Sequence, residues 1–255
     1  MLALQHFVLA LAQSTLMAEW SPPAQPNPRV ILDEARADVA AGRHEDALAK
    51  YVWFFRNAVK IDKALAGVRG SYVVSEWSAL GRTYPPALAK LKAVRDDIVE
   101  QVKQGKDVKA AFLDVEAINE AFGDDHLTYD LFLELDAKRP QLAKDAYRTV
   151  QRILIAKKKY KLCSKYLDVE EGLLRLTRAV QTLPKVHEIG KFSPGQRAKI
   201  NKVVIDDCAT FIALLAINDR HDDALKVAKA IRKEWDDPAF RAAIDQALKG
   251  KLPEA

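Results

Sequence analysis

The chain has 255 residues, of which 49% are hydrophobic and 29% charged, and its formal net charge is +5. That length and hydrophobic content suffice for a packed core, and only 10 glycines and 11 prolines interrupt the sequence, so the composition favours long helices. Two cysteines, Cys163 and Cys208, are too few for a disulfide framework and form no CxxC pair. The composition therefore argues against a disulfide-stapled domain and against a strand-and-turn protein.

The N-terminal segment has two interpretations. Residues 2–12 are nearly all apolar and end in the small-x-small triplet Ala10-Leu11-Ala12, as a signal peptide does, but no Lys or Arg precedes them. A first helix packed on the domain fits equally well, so a cytoplasmic and an exported location both stay open. The run is too short to span a bilayer. Residues 21–28, SPPAQPNP, form an extended breaker because each proline fixes φ. We therefore expect an N-terminal segment and linker over 1–28 and a single domain over 29–252.

A short element recurs along the rest of the chain. It consists of a ring side chain, two spacers and a small residue, followed four positions later by an apolar or small residue. The four copies are His44/Ala47/Tyr51, Tyr84/Ala87/Leu91, Tyr160/Cys163/Leu167 and His221/Ala224/Ala228. The first two copies lie 40 residues apart and the third lies 76 further on, about two units of 38, a period typical of helical-repeat proteins.

The chemistry of this element is packing. A small side chain at the start of a second helix lets the first helix approach closely, the ring fills the turn, and the residue four places on lies on the same face. We therefore expect Ala47 and Ala87 to be buried at helix crossings. The fold class predicted is all-α, an α-solenoid of stacked antiparallel helix pairs.

The segment Trp77-x2-Leu80-Gly81-x2-Tyr84 resembles the first-helix pattern of the tetratricopeptide repeat superfamily. With the repeated phrases, residues 30–250 resemble a group of uncharacterised bacterial tetratricopeptide-like proteins. The resemblance implies a helical-repeat fold and implies no reaction, catalytic residue or cofactor. Prolines 85 and 86 would break a helix, however, so we predict that one helix ends near Gly81, that RTYPP is a turn, and that the next helix follows.

The spacing of apolar residues and the helix-terminating Gly and Pro residues predict the later helices. They cover residues 108–122, 128–140 and 141–156, a stretch from Asp168, and a long helix after Gly195. Residues 184–196, which contain Pro184, are predicted to form a long irregular connection.

Basic residues are concentrated between Lys138 and Lys165, where Asp145 is the single acid. On a helix, Lys144, Arg148 and Arg152 share a face because they recur every four positions. One interpretation is a solvated helix face, and the other is a site for an anion or partner. The residues of that site would be Lys144, Arg148, Arg152, Lys157, Lys158, Lys159, Lys161 and Lys165.

Three functions are compatible with these patterns. The first is a non-enzymatic interaction module or scaffold that binds a protein or peptide in the groove of a solenoid, without cofactor or metal. The second is weak, non-specific binding of nucleic acid or another polyanion by the basic segment. The third is a metal phosphohydrolase, if His187, the His221-Asp222 pair and Asp236 or Asp237 form a metal site. We favour the first, because stacked repeats form an extended groove that suits a peptide or protein surface. The third is disfavoured because His221 occupies a repeat position.

Overall fold

The computed structural model describes residues 20–254. The apolar run at residues 2–12, for which a signal peptide and a packed helix are the two interpretations, lies outside the described residues. The described residues form helices and turns, with no β-strand among them, which confirms the all-α class. Described residues as far as Asp97 form one compact unit, and those from Ile98 onward form a second. No helix in the described range is both long and apolar enough to cross a membrane.

The first unit is built from helices that begin at local signals in the sequence. Asn27 caps the first helix, since its side-chain oxygen accepts from the backbone N–H of Arg29 at 3.0 Å. The helices are α1 (Pro28–Ala40), α2 (His44–Ile61), α3 (Ala66–Val68), α4 (Val74–Thr83) and α5 (Pro85–Lys103), the last of which contains the boundary between the units. A 3₁₀ turn (Lys63–Leu65) and a π-helical turn (Arg69–Val73) flank α3.

The turn between α4 and α5 lies where the prolines predict it. Helix α4 ends at Thr83 and α5 begins at Pro85, so neither proline interrupts a helix. The buried Trp77 ring donates from Nε1 to the backbone oxygen of Ala87 at 2.9 Å. Gly81 permits the close approach of the two helices, because a Cβ there would lie 2.9 Å from the Leu88 Cβ.

The second unit contains the remaining eight helices of the described chain. These are α6 (Val108–Phe122), α7 (Asp125–Lys138), α8 (Pro140–Ala156), α9 (Tyr160–Lys165), α10 (Val169–Ile189), α11 (Pro194–Ile217), α12 (His221–Ile231) and α13 (Pro238–Ala247). Helices α6, α7 and α8 contact one another, as do α10, α11 and α12, while α9 packs on α8 and α11 and α13 packs on α11.

The irregular connection predicted for residues 184–196 is wrong. Helix α10 continues through Pro184 to Ile189, and α11 starts at Pro194 under a capping box formed by Ser193 and Gln196. The reason is burial: Val180 and Leu183 continue the buried stripe of α10 up to the proline. Packing of that stripe outweighs the single backbone hydrogen bond that a proline removes.

Candidate partner-binding cleft

The small residue of each repeated element is buried. Ala47, Ala87, Cys163 and Ala224 are all at most 1% exposed, and each lies in the first turns of its helix. The residues four positions on, Tyr51, Leu91, Leu167 and Ala228, are buried as well. The element therefore coincides with helix starts at α2, α5, α9 and α12 and contributes to the core.

The ring residues of the four copies differ in how far they are buried. His44 and Tyr84 contact each other, with 5.7 Å between ring centroids, so the first two copies share one packing site. Tyr160 is half-buried. His221 is exposed, which corrects the expectation that its ring fills the turn: α12 starts at His221 with its side chain toward solvent, and Ala224 provides the burial.

The predicted basic face of α8 is matched by carboxylates from elsewhere in the second unit. Lys144 Nζ lies 3.4 Å from Asp168 Oδ2, and Arg148 Nη1 lies 3.3 Å from Asp207 Oδ1. Arg152 pairs with Glu116 on α6 at 3.6 Å. The three side chains follow one helix, as the spacing predicts, but their charges are compensated by residues on other elements.

A cleft of about 450 Å³ lies beside this face, between α6, α8, α10 and α11. Its wall is partly aromatic and apolar, with Tyr147, Tyr166, Phe211 and the half-exposed Leu113. The charged residues along it are Lys109, Lys144, Asp145, Arg148, Asp168, Glu171 and Arg175. The cleft therefore combines an apolar and aromatic wall with charged groups, and a concave site with both features can bind a ligand that is itself partly apolar and partly polar.

Asp207 on α11 fixes both arginines of the cleft. One of its oxygens accepts from Arg148, and the other accepts from Nη1 of Arg175. The second terminal nitrogen of Arg175, Nη2, is buried and has no hydrogen-bond acceptor among the described residues. A guanidinium that is held in place and has one terminal nitrogen without an acceptor is pre-organised to donate to a carboxylate or carbonyl oxygen.

Two tyrosines form the floor of the cleft near its α9 end. Their rings, Tyr147 and Tyr166, stack at 5.6 Å between centroids, and the Tyr166 hydroxyl donates to Asp136 Oδ1 at 2.5 Å. Tyr147 is 3% exposed, and burial, with the neighbouring Cys163 next in importance, raises the pKa of its hydroxyl above the usual value. The hydroxyl therefore stays protonated, and it has no nitrogen or oxygen partner in the described structure.

Four of the remaining basic residues lie at a second depression of about 720 Å³. Lys158, Lys159, Lys161 and Lys165 line it, together with Asp219 from the turn before α12. Lys165 pairs with Asp136 at 2.5 Å, and Lys157 lies over the Tyr129 ring, 4.9 Å from its centroid. The predicted basic residues thus do not form one site: Lys144 and Arg148 line the cleft, four lysines line this depression, and Arg152 and Lys157 line neither.

The cleft residues that escaped the sequence reasoning include Gly172, Arg175 and Phe211. A Cβ at Gly172 would lie 2.2 Å from the Phe211 Cζ, so the glycine makes room for the ring where α10 meets α11. An isolated glycine inside the helical stretch DVEEGLL was the available signal, because glycine in a helix interior is unfavourable without a packing reason.

The pattern considered for a metal site is not assembled in the described residues, which contain no group of three or more His, Cys, Asp or Glu side chains able to hold an ion. His221 and Asp222 are exposed. Both cysteines are buried and free, and burial raises the pKa of the Cys163 thiol to about 11 and that of Cys208 to about 12. A buried thiol with a raised pKa is protonated at neutral pH, and the protonated form is a poor nucleophile.

Comparison with known proteins finds no matching family model, no similar curated protein and no similar solved structure.

Proposed function

We propose that this protein is a non-enzymatic binding module of tetratricopeptide-like helix pairs, and that the cleft of the second unit holds a segment of a partner polypeptide. The observation that carries the proposal is the free Nη2 of Arg175, buried at a cleft whose other wall is aromatic. A peptide has the groups that complement this cleft. Its carboxylate or carbonyl oxygen can accept from Nη2 of Arg175, and an adjacent apolar side chain can pack on Tyr147 and Phe211.

The distribution of charge supports a peptide over a polyanion in this cleft. Lys144 and Arg148 each have a carboxylate partner, and Lys109 lies 3.8 Å from Asp145. A highly charged strand would have to displace these partners, whereas one acidic or carbonyl group can bind Arg175 without breaking its pair with Asp207. The repeated packing element at four helix starts supports the repeat architecture.

Selection from a phage-displayed peptide library tests the proposal. We expect enrichment of peptides with an acidic residue near an aromatic or aliphatic one. The decisive variant is Arg175→Lys, which keeps a cation for Asp207 but removes the second donor nitrogen. We expect it to weaken binding of an enriched peptide about tenfold.

The matched control for that experiment is Lys185→Ala, an exposed change on the same helix outside the cleft. It should leave the dissociation constant unchanged. Failure to enrich any peptide, or equal affinity of the wild type and Arg175→Lys for the enriched peptide, would contradict the proposed function.

The lysine-lined depression supports a second candidate, weak binding of a polyanion. Lys158, Lys159 and Lys161 lie along it without a carboxylate partner in the described chain. Binding of a labelled single-stranded oligonucleotide should fall steeply with salt, and joint substitution of the three lysines by Glu should abolish it. Joint substitution of the exposed Lys60, Lys63 and Lys90 by Glu changes net charge equally and serves as the control. Equal losses in both triple variants would show that only net charge matters.

A further inference from the structure

A separate pocket of about 440 Å³ opens where the second half of α10 faces the first half of α11. Val180, Leu183, Pro184 and Trp235 give it an apolar wall, and His187 and Asn201 contribute polar atoms. It shares no residue with the partner-binding cleft. Its volume lies within the range of small-molecule pockets.

Two polar atoms at this pocket lack partners. The His187 Nε2 and the Asn201 Oδ1 are both buried, and neither has a hydrogen-bond partner in the described structure. Buried polar atoms are rarely left unpaired unless a ligand or water pairs with them. The amide oxygen can only accept, and the imidazole nitrogen donates or accepts according to its tautomer. A ligand that fits must therefore present an N–H or O–H donor to the amide oxygen and a second hydrogen-bonding atom to the imidazole.

The indole ring of Trp235 lines the pocket and packs against a buried aromatic ring. Its ring lies 4.9 Å from the ring of the buried Phe240, centroid to centroid. The adjoining Glu234 accepts a hydrogen bond from Gln181 Nε2 at 2.7 Å, which ties this turn to α10. An indole held in this way is suited to stacking on a planar ring.

The charges around the pocket indicate the charge of the ligand. Glu188 and Glu234 line it against the single cation Arg197, whose Nε already donates to the Phe192 carbonyl oxygen at 3.2 Å. Two carboxylates against one cation disfavour an anionic ligand such as a nucleotide polyphosphate.

We propose that this pocket binds a neutral, amino-substituted nitrogen heterocycle of the nucleobase class. In this arrangement the ring stacks on Trp235, the exocyclic amino group donates to Asn201 Oδ1, and a ring nitrogen bonds with His187 Nε2. The contact between the amide oxygen and the amino group is one half of the bidentate pairing by which Asn recognises adenine in nucleic acids, and His187 takes the place of the amide nitrogen for the other half.

Titration calorimetry with adenine and purine, which differ only in the exocyclic amino group, tests the proposal. We expect millimolar or tighter binding of adenine and a threefold to tenfold weaker affinity for purine, on the order of one lost hydrogen bond. Asn201→Leu should remove that preference, and Trp235→Leu should weaken both ligands. Lys199→Leu, an exposed change on α11, is the control and should change neither affinity.

Absence of adenine binding to the wild type, or equal affinity for adenine and purine, would overturn the proposal. So would a preference that survives in a folded Asn201→Leu variant, with folding checked by circular dichroism. Because the ligand comparison is made on the wild type, it decides the matter even if a variant does not fold.

Discussion

The ion pair between Asp38 on α1 and Lys50 on α2 provides a sharp test of what holds the first unit together. Their side chains are only 6% and 9% exposed, and Arg43 donates a second hydrogen bond to Asp38 at 2.8 Å. Asp38→Asn keeps the shape and removes the charge, leaving the Lys50 ammonium without its main partner. Glu34 at 3.7 Å and the Trp20 ring, 5.5 Å from Lys50 Nζ, compensate part of the loss.

The expected cost follows from that burial. Removing one member of a buried pair typically costs 3 to 5 kcal/mol, and the residual contacts of Lys50 reduce it here to about 2 to 4 kcal/mol of unfolding free energy. Replacing both residues, as Asp38→Leu with Lys50→Met, should cost within about 1 kcal/mol, because no buried charge is left unpaired. The charges that lose their partners, on Arg43 and Glu34, belong to side chains that are 50% exposed and are solvated by water. Asp33→Asn on the same helix is the control: its exposed pair with Arg36 should be worth under about 0.5 kcal/mol.

Urea denaturation at several pH values measures these differences. Burial raises the pKa of Asp38, but hydrogen bonds from Lys50 and Arg43 outweigh burial and lower the pKa below the ordinary value of 3.8. A lowered folded-state pKa means that the stabilisation is complete above the unfolded pKa and is lost as the pH falls through the folded one. The cost of Asp38→Asn should therefore be full at pH 7 and shrink below about pH 4. A cost that does not depend on pH, or a double variant as unstable as the single one, would refute this reasoning.

Three further predictions concern packing. Ala87→Leu should destabilise the protein by about 1 to 3 kcal/mol in thermal or urea unfolding, because Ala87 is fully buried; an unchanged midpoint would contradict the repeat register. Gly172→Ala should push the adjoining ring toward the cleft and weaken peptide binding, while Gly195→Ala, which has open space around it, should not. Cys163 and Cys208 should resist a thiol reagent at pH 8 in the native protein and react in urea; fast native labelling would show that their burial is wrong.

The sequence by itself determined the helices whose ends are local. Asn27 before Pro28, the double proline after Tyr84 and Gly123 after α6 each satisfy or terminate a helix end within a few residues, so the chain carries the signal at that point. The small residues of the repeated element are buried together with the residues four places on, because the period of a helix places both positions on one face.

Only the tertiary structure decided which helix faces pack together and which side chains pair across them. Pro184 stays helical because the buried stripe of α10 is held by neighbouring helices, and Arg148 is neutralised by Asp207, which lies 59 residues away in sequence. The free donor of Arg175 likewise exists only because Asp207 occupies the other end of its guanidinium. Such pairings depend on which helix faces meet, and no local spacing encodes them, because the free energy that selects them comes from burial between distant segments.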